Sequence, residues 1–182
     1  MKRNITIALI LCLTTVSAFA ASNKLEEWMS KFPLEEQTVV IETVGDVQES
    51  FNNARTWIID NLSNGAKNLS SDSNANMITI PIEETYKRGI TGVGTLYFTL
   101  IIEFKEGRMR WTTRDVKLKL DTKHYVYYST HDTGYRTGSL GDNFAGCEAY
   151  RKEGSALYQK YLEIISEGMQ KIASGELAES VN

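Results

Sequence analysis

The stretch VGTLYFTLIIEFKEGRMRWTTRDVKLKL (Val93–Leu120) decides the fold, because it predicts a long β-hairpin whose register follows from its turn. From Leu96 to Phe104, apolar side chains alternate with mostly polar ones, which is typical of a strand with one buried face. Glu106-Gly107 fits a two-residue loop in which the glycine supplies a positive φ. This loop places Glu103 opposite Arg110, and a shift by one residue would send every side chain to the wrong face.

The second strand of this hairpin changes its alternation part-way. Trp111 belongs to the core face, but Val116 and Leu118 lie on the opposite alternation. A β-bulge adds one residue to one strand and so exchanges the two faces beyond it. We therefore expect a bulge near Thr113–Asp115.

Upstream of the hairpin, the sequence predicts a strand, a helix and a second strand. The β-branched run Gln37–Val44 indicates the first strand. A capping box that starts at Asp46 opens a helix that ends near Leu62. Residues 64–76 are polar and predict a surface loop, whereas Met77–Ile82 alternates and contains a proline, which favours an edge strand.

Downstream of the hairpin, the sequence predicts one more strand and a long helix. His124–Ser129 predicts the last strand. On the other side of the hairpin, directly before it, residues 83–89 predict a charged turn. The composition of residues 130–142 predicts a glycine-containing loop, and an apolar stripe then indicates a helix that ends at Ser174-Gly175. The predicted order is β-α-β-β-β-β-α, an α+β fold whose antiparallel sheet packs both main helices on one face.

The N-terminus has the pattern of an export signal. Lys2 and Arg3 precede the apolar run Ile5–Leu13, and Ala18-Phe19-Ala20 matches a signal-peptidase site. The apolar run is too short to span a bilayer, which needs roughly 20 such residues, and no later run is longer. We expect cleavage after Ala20, a periplasmic or extracellular location, and no transmembrane segment.

The chain of 182 residues is long enough for one domain with a substantial core. The expected organisation is a signal peptide at residues 1–20, an N-terminal segment with a short amphipathic helix at 21–36, a single α+β domain at 37–175, and a frayed tail at 176–182.

Cysteine content and charge limit the function classes. Cys12 lies in the signal, so Cys147 stands alone and no internal disulfide can form. The net charge of −3 argues against a nucleic-acid partner, because such binding needs clustered lysine and arginine.

Several motifs resemble a known family: Ala54-x-x-Trp57, Gly92-x-Gly94, and Glu103-x-Lys105-x-Gly107-Arg108-x-Arg110-Trp111-x-x-x-Asp115. Over roughly residues 38–120 the chain resembles an exported bacterial domain of unknown function with a TATA-binding-protein-like (TBP-like) fold. The resemblance implies that fold and an exported bacterial context. It implies no activity and no catalytic residue.

The residue types for catalysis or metal binding are His124, His131, Asp132 and Cys147. A thiol nucleophile needs a base beside it and an acid that orients the base. Nothing in the spacing brings these residues together, and a lone cysteine near a helix start is typically a small buried residue. We therefore expect no catalytic residue, no metal and no cofactor.

The sheet face opposite the helices, here called the open face, is the candidate ligand-binding surface. The register places Tyr97, Arg110, Arg114 and Lys117 on it. A basic, partly aromatic face on an acidic protein suits an anionic or sugar-like ligand. The alternative is a solvated sheet face on which arginine and lysine prevent aggregation.

These observations favour a non-enzymatic binding or interaction module whose partner is an envelope protein, a glycan or an anionic ligand. Two alternatives stay open. One is a hydrolase-type enzyme built on residues 130–147, and the other is a structural component of a cell-surface assembly that docks through residues 22–33.

Overall fold

The computed structural model describes residues 31–62, 65–88, 92–122, 126–130 and 144–176. Outside these ranges lie the predicted signal peptide, residues 22–30 of the predicted N-terminal helix, residues 131–142 of the predicted loop, and residues 177–182 of the predicted tail.

The described elements follow the order β-α-β-β-β-β-β-α. They are β1 (Thr38–Glu42), α1 (Val47–Leu62), β2 (Ser70–Asp72), β3 (Met77–Arg88), β4 (Gly92–Lys105), β5 (Arg108–Thr122), β6 (Val126–Thr130) and α2 (Phe144–Ser174). They belong to one structural unit, residues 34–182, whose first residue, Leu34, is buried.

The strands form one antiparallel sheet in the order β1-β5-β4-β3-β2. β1 pairs with the first part of β5, and β6 pairs with residues 117–121 of the same strand. Because β4 occupies the other side of β5, β1 and β6 share one edge of it. The α+β class and the antiparallel sheet predicted from the sequence are confirmed.

The core lies between the sheet and the two helices. Five apolar side chains of β4 form its part of the core, namely Leu96, Phe98, Leu100, Ile102 and Phe104. The ring of Phe104 meets Phe51 of α1 edge-on at 5.8 Å, and Phe98 meets Tyr158 of α2 at 5.4 Å. Both helices therefore pack on the same face of the sheet, as predicted. Each such side chain contributes about 1.5–3 kcal/mol by leaving water.

The hairpin register is confirmed. Glu103 lies opposite Arg110, and Lys105 lies opposite Arg108 across the turn. Gly107 has a φ of 70°, so it supplies the left-handed conformation that the loop needs.

The predicted bulge is also confirmed. Thr99 pairs with Arg114, but Tyr97 pairs with Lys117, so β5 carries one extra residue between these two pairs. Asp115 lies in this interval with a φ of 55°. Side chains beyond it change faces, which buries both Val116 and Leu118.

The predicted charged turn at residues 83–89 is wrong, because β3 continues to Arg88. Every residue of β3 is paired with a residue of β4, and the last pair is Arg88 with Gly92. Two of these residues also pack towards α2. Glu84 accepts a hydrogen bond from Tyr161, and a Cβ on Gly154 would lie 2.6 Å from the hydroxyl of Tyr86.

The predicted loop at residues 64–76 contains a short strand, β2, which the sequence did not indicate. Ser70–Asp72 pairs with β3 through its backbone, although serine and aspartate rarely favour strands. The Asp72 carboxylate accepts hydrogen bonds from the backbone N–H groups of Asn74 and Ala75, which forms the turn between the two strands.

The ends of both helices agree with the sequence. The backbone N–H of Glu49 donates to the Asp46 carboxylate at 2.8 Å, which caps α1. Gly175 follows the last residue of α2 with a φ of 79°, the left-handed conformation that commonly ends a helix.

The two helices approach each other closely at Gly168. A Cβ at this position would lie 2.1 Å from the ring of Trp57, which is buried on α1. A residue without a side chain is therefore needed at this point of α2, and the tryptophan of the Ala54-x-x-Trp57 motif has a packing role.

A chain of hydrogen bonds ties the segment before β1 to the core. The backbone N–H of Gln37 donates to Thr113 Oγ1 at 2.9 Å, and this oxygen lies 2.7 Å from the hydroxyl of Tyr158. Tyr158 in turn donates to the carbonyl oxygen of Glu35 at 2.8 Å. Since its single hydrogen goes to this carbonyl, the threonine hydroxyl is the donor to Tyr158. The chain connects β5, α2 and residues 35–37.

Burial changes the acidity of two core phenols. It raises the pKa of Tyr158 to about 12 from the ordinary value of 10.0. Burial also raises the pKa of Tyr161, and the hydrogen bond and the negative charge of Glu84 add to this effect. In both cases the folded state favours the protonated phenol. The contribution of Tyr158 to stability is therefore complete below about pH 10 and is lost as the pH rises through about 12, and that of Tyr161 is likewise lost only at alkaline pH.

We expect Tyr158→Phe to lower the free energy of unfolding by about 1–3 kcal/mol at neutral pH, because Thr113 and the Glu35 carbonyl lose their buried partner. The variant should also lose less stability than the wild type between about pH 10 and about pH 12. Urea denaturation across this range measures both effects, with Tyr97→Phe as the control on the sheet surface. A Tyr158→Phe protein as stable as the wild type at neutral pH would contradict this role.

Candidate functional site

The β4–β5 pairing brings the four predicted ligand-binding residues to the open face. Its rows run from Glu103 opposite Arg110, through Thr99 opposite Arg114, to Tyr97 opposite Lys117. The three cations are exposed, whereas the tyrosine is partly buried.

Arg110 is held by a neighbouring carboxylate. Its Nε donates to Glu103 Oε2 at 2.6 Å, and Nη2 of the same guanidinium contacts the same oxygen. The Arg110 side chain is 50% exposed, so water screens the pair, which contributes about 0.2–1 kcal/mol. Part of the charge of Arg110 is therefore already balanced.

Tyr97 and Lys117 form the second contact on the open face. The Lys117 ammonium lies over the Tyr97 ring, 5.6 Å from its centroid. A cation–π contact at an exposed site contributes about 0.5–1 kcal/mol. This contact holds the lysine above the ring of its cross-strand neighbour.

Arg114 owes its place beside Lys117 to the bulge. In a regular strand, residues three positions apart point to opposite faces. The extra residue between them gives Arg114 and Lys117 the same face. The backbone N–H of Asp115 donates to the Glu36 carboxylate at 2.8 Å, so the segment before β1 also fixes the bulge.

Among the described residues, Arg114 and Lys117 have no carboxylate within ion-pair distance, in contrast to Arg110. Counting only described residues, the site contains two cations without an anionic partner, one paired cation, and one aromatic ring.

A small depression lies on the open face near the hairpin turn. Its volume is about 140 Å³, and its lining residues are Val40, Glu103, Lys105, Arg108, Met109 and Arg110. The sequence analysis did not include Val40 in the site. Its position beside Arg110 depends on the pairing of β1 with β5, which no local pattern reveals.

The residue types for catalysis are not brought together in the part of the chain that can be described. The backbone places Cys147 in the first turn of α2, as the sequence suggested. His124, His131 and Asp132 lie outside the described residues. Within the described ranges, no three His, Cys, Asp or Glu side chains form a group that could hold a metal ion.

No helix in those ranges is long and apolar enough to cross a membrane.

Two solved structures share this arrangement of strands and helices. A TBP-like protein from Parabacteroides distasonis ATCC 8503 aligns with 76% of this chain and 97% of its own, with a TM-score of 0.54 and 12% identity. The chain has a TBP-like fold. A DUF4468 family protein from Bacteroides ovatus ATCC 8483 aligns over 74% of this chain and 85% of its own, with a TM-score of 0.51 and 11% identity.

No protein-family model matches the sequence, and no curated protein matches it. At these low identities the two structures establish the fold alone, and their names state no ligand and no reaction. The TBP-like resemblance drawn from the motifs is thereby confirmed at the level of the fold.

The motif residues that carried the resemblance have structural roles. Ala54 and Trp57 are buried on α1. A Cβ on Gly94 would lie 2.2 Å from the ring of Tyr86, so this glycine permits close packing between β3 and β4. Gly107 forms the turn, and Asp115 forms the bulge. The motifs therefore specify the sheet that presents the open face.

Proposed function

We propose that this protein is an exported, non-enzymatic binding module that holds an acidic polysaccharide on its open face. The observation that carries this proposal is the pair Arg114 and Lys117, two exposed cations beside each other on a chain whose net charge is −3. Cations gathered on one face of an acidic protein attract an anionic partner to that face.

The small volume of the depression beside Arg110 favours an extended ligand over a small enclosed one. Pockets for small molecules usually enclose roughly 300–1,000 Å³. The depression beside Arg110 has a volume of about 140 Å³, and so it is too small to enclose a ligand of that kind. An extended chain can instead lie along β5 and meet its cations in turn.

The chemistry of the face favours a sugar polymer over a protein. The centre of a protein–protein interface is usually apolar and depleted of charge. Here the central rows combine Thr99 with Arg114 and Tyr97 with Lys117. Hydroxyls donate to and accept from sugar hydroxyls, guanidinium and ammonium groups bind carboxylates or sulfates, and the tyrosine ring offers a flat surface for a sugar ring.

The test is titration calorimetry of the purified chain with polygalacturonate, with dextran sulfate and with neutral dextran. We expect binding to both acidic polymers, weaker binding at higher salt, and none to neutral dextran. The double substitution Arg114→Glu with Lys117→Glu should weaken binding at least tenfold, because it replaces two attractions with two repulsions.

The matched control is Lys152→Glu with Lys160→Glu on α2, which changes the net charge equally at two exposed lysines. It should bind almost as the wild type does. A wild type that binds neither acidic polymer, or two double variants that lose affinity equally, would contradict the proposal.

Export is a separate part of the proposal, and it is supported by the signal pattern of residues 1–20. We expect the protein isolated from the envelope or the medium of its producing cells to begin at Ala21. N-terminal sequencing checks this, and a cytoplasmic protein that retains residues 1–20 would contradict it.

A further inference from the structure

β1 is an edge strand with an apolar surface. Within the described part of the chain it pairs only with β5. The exposed large apolar side chains among the described residues are Val40, Val44 and Ile59, and two of these three lie on β1 or just after it. Val40 is 59% exposed, although it occupies the centre of the strand. Edge strands of this kind are open to pairing with another chain.

The hydrogen bonds of β1 show which backbone groups face its outer edge. Thr113 N–H donates to the Gln37 carbonyl, and Thr43 N–H donates to the Gly107 carbonyl, so residues 37 and 43 face β5. Because the direction alternates along a strand, Val39 and Ile41 also face β5. The N–H and C=O groups of Thr38, Val40 and Glu42 therefore point to the outer edge.

The outer edge ends at Val44. Its backbone N–H donates to the carbonyl of Ala173 near the end of α2 at 3.0 Å. A strand added at this edge can therefore pair with residues 38–42, and the contact between Val44 and α2 ends the free edge.

We propose that β1 pairs antiparallel with β1 of a second copy of this chain, about a two-fold axis that passes through Val40. Each outward-facing residue then exchanges two backbone hydrogen bonds with its partner. The two sheets join into one continuous sheet, and the interface is isologous, so the assembly closes as a dimer.

The sequence Thr38-Val39-Val40-Ile41-Glu42 is self-complementary in this register. On the open face, Val40 meets its own copy. On the core face, Val39 meets Ile41 of the other copy, and both residues are half-buried in the single chain. Apolar side chains thus meet apolar side chains on both faces, which is the pairing that stabilises neighbouring strands.

The charges at the seam are also compatible with a second copy. Glu42 would lie between Arg108 of its own β5 and Thr38 of the other copy, since β1 pairs Glu42 with Arg108. Arg110 is next to Val40 and is already bound to Glu103. No two like charges would face each other, whereas an unrelated strand would match this pattern only by chance.

A groove beside the edge provides space for the second copy. It has a volume of about 810 Å³ and is lined by Ile41, Glu42 and Val44 on the strand side and by the last turns of α2. The core-face side chains of the added strand would extend over this groove. Arg114 and Lys117 lie outside β1 and outside the residues of β5 that pair with it, so this proposal does not rest on the proposed ligand binding.

The first test is sedimentation of the full chain over a range of concentrations. The wild type should approach the mass of two chains as the concentration rises. Val40→Lys should stay at the mass of one chain, because two lysines would face each other at the two-fold axis. Thr85→Lys is the control, since Thr85 is exposed on β3 away from this edge. It should dimerise as the wild type does.

The second test fixes the register and detects even a weak dimer. In a background in which Cys12 and Cys147 are replaced by Ser, Val40→Cys should form a disulfide-linked dimer under mild oxidation. Its Cα atoms would be about 5.5 Å apart, within the range that a disulfide spans. Glu42→Cys should not cross-link, because residue 42 faces residue 38 of the other copy.

Circular dichroism and thermal unfolding establish that Val40→Lys and Val40→Cys are folded, and substitution at a side chain 59% exposed should keep them so. A monomeric wild type together with an uncross-linked Val40→Cys would overturn the proposal. A dimer that survives Val40→Lys, or equal cross-linking of Val40→Cys and Glu42→Cys, would overturn it as well.

Discussion

The β-bulge at Asp115 is the constraint on which both the core and the open face depend. It buries Val116 after Trp111, so one strand supplies core residues from two opposite alternations. The same extra residue puts Arg114 and Lys117 on one face. Two contacts hold this part of β5: the Asp115 N–H donates to the Glu36 carboxylate, and the Thr113 hydroxyl, two residues earlier, is hydrogen-bonded to Tyr158 of α2.

The magnitudes of these interactions separate what stabilises the fold from what is available for binding. A buried Leu or Phe of β4 contributes about 1.5–3 kcal/mol, and several lie side by side. The Arg110–Glu103 pair and the contact of Lys117 with Tyr97 contribute about 1 kcal/mol or less each. The cations of the open face are therefore not needed to hold the sheet together. If these cations exchange their present contacts for contacts with a ligand, the free energy of unfolding changes little.

Features that depend on residues close together in the chain can be predicted from the sequence. Features that depend on contacts between residues far apart in the chain cannot. The hairpin register follows from the Glu106-Gly107 turn together with the alternation, and the bulge follows from the change in alternation. The extension of β3 to Arg88 was missed, because its charged residues indicate a turn unless the partner strand is known. Tyr158 lies next to the predicted apolar stripe of α2, but its role requires Thr113 and Glu35, which are far apart in sequence. In the candidate site, the β4–β5 register predicts that the four residues share one face. The position of Val40 beside Arg110 could not be predicted, because it depends on the pairing of β1 with β5.

The accessibility of single cysteines at residues 114, 116 and 117 tests the role of the bulge most directly. In a background in which Cys12 and Cys147 are replaced by Ser, Arg114→Cys and Lys117→Cys should react rapidly with a bulky thiol reagent in the folded protein. Val116→Cys should be protected, because this position is 3% exposed. Fast reaction at residue 116 together with protection at residue 117 would show a regular strand and would contradict the account.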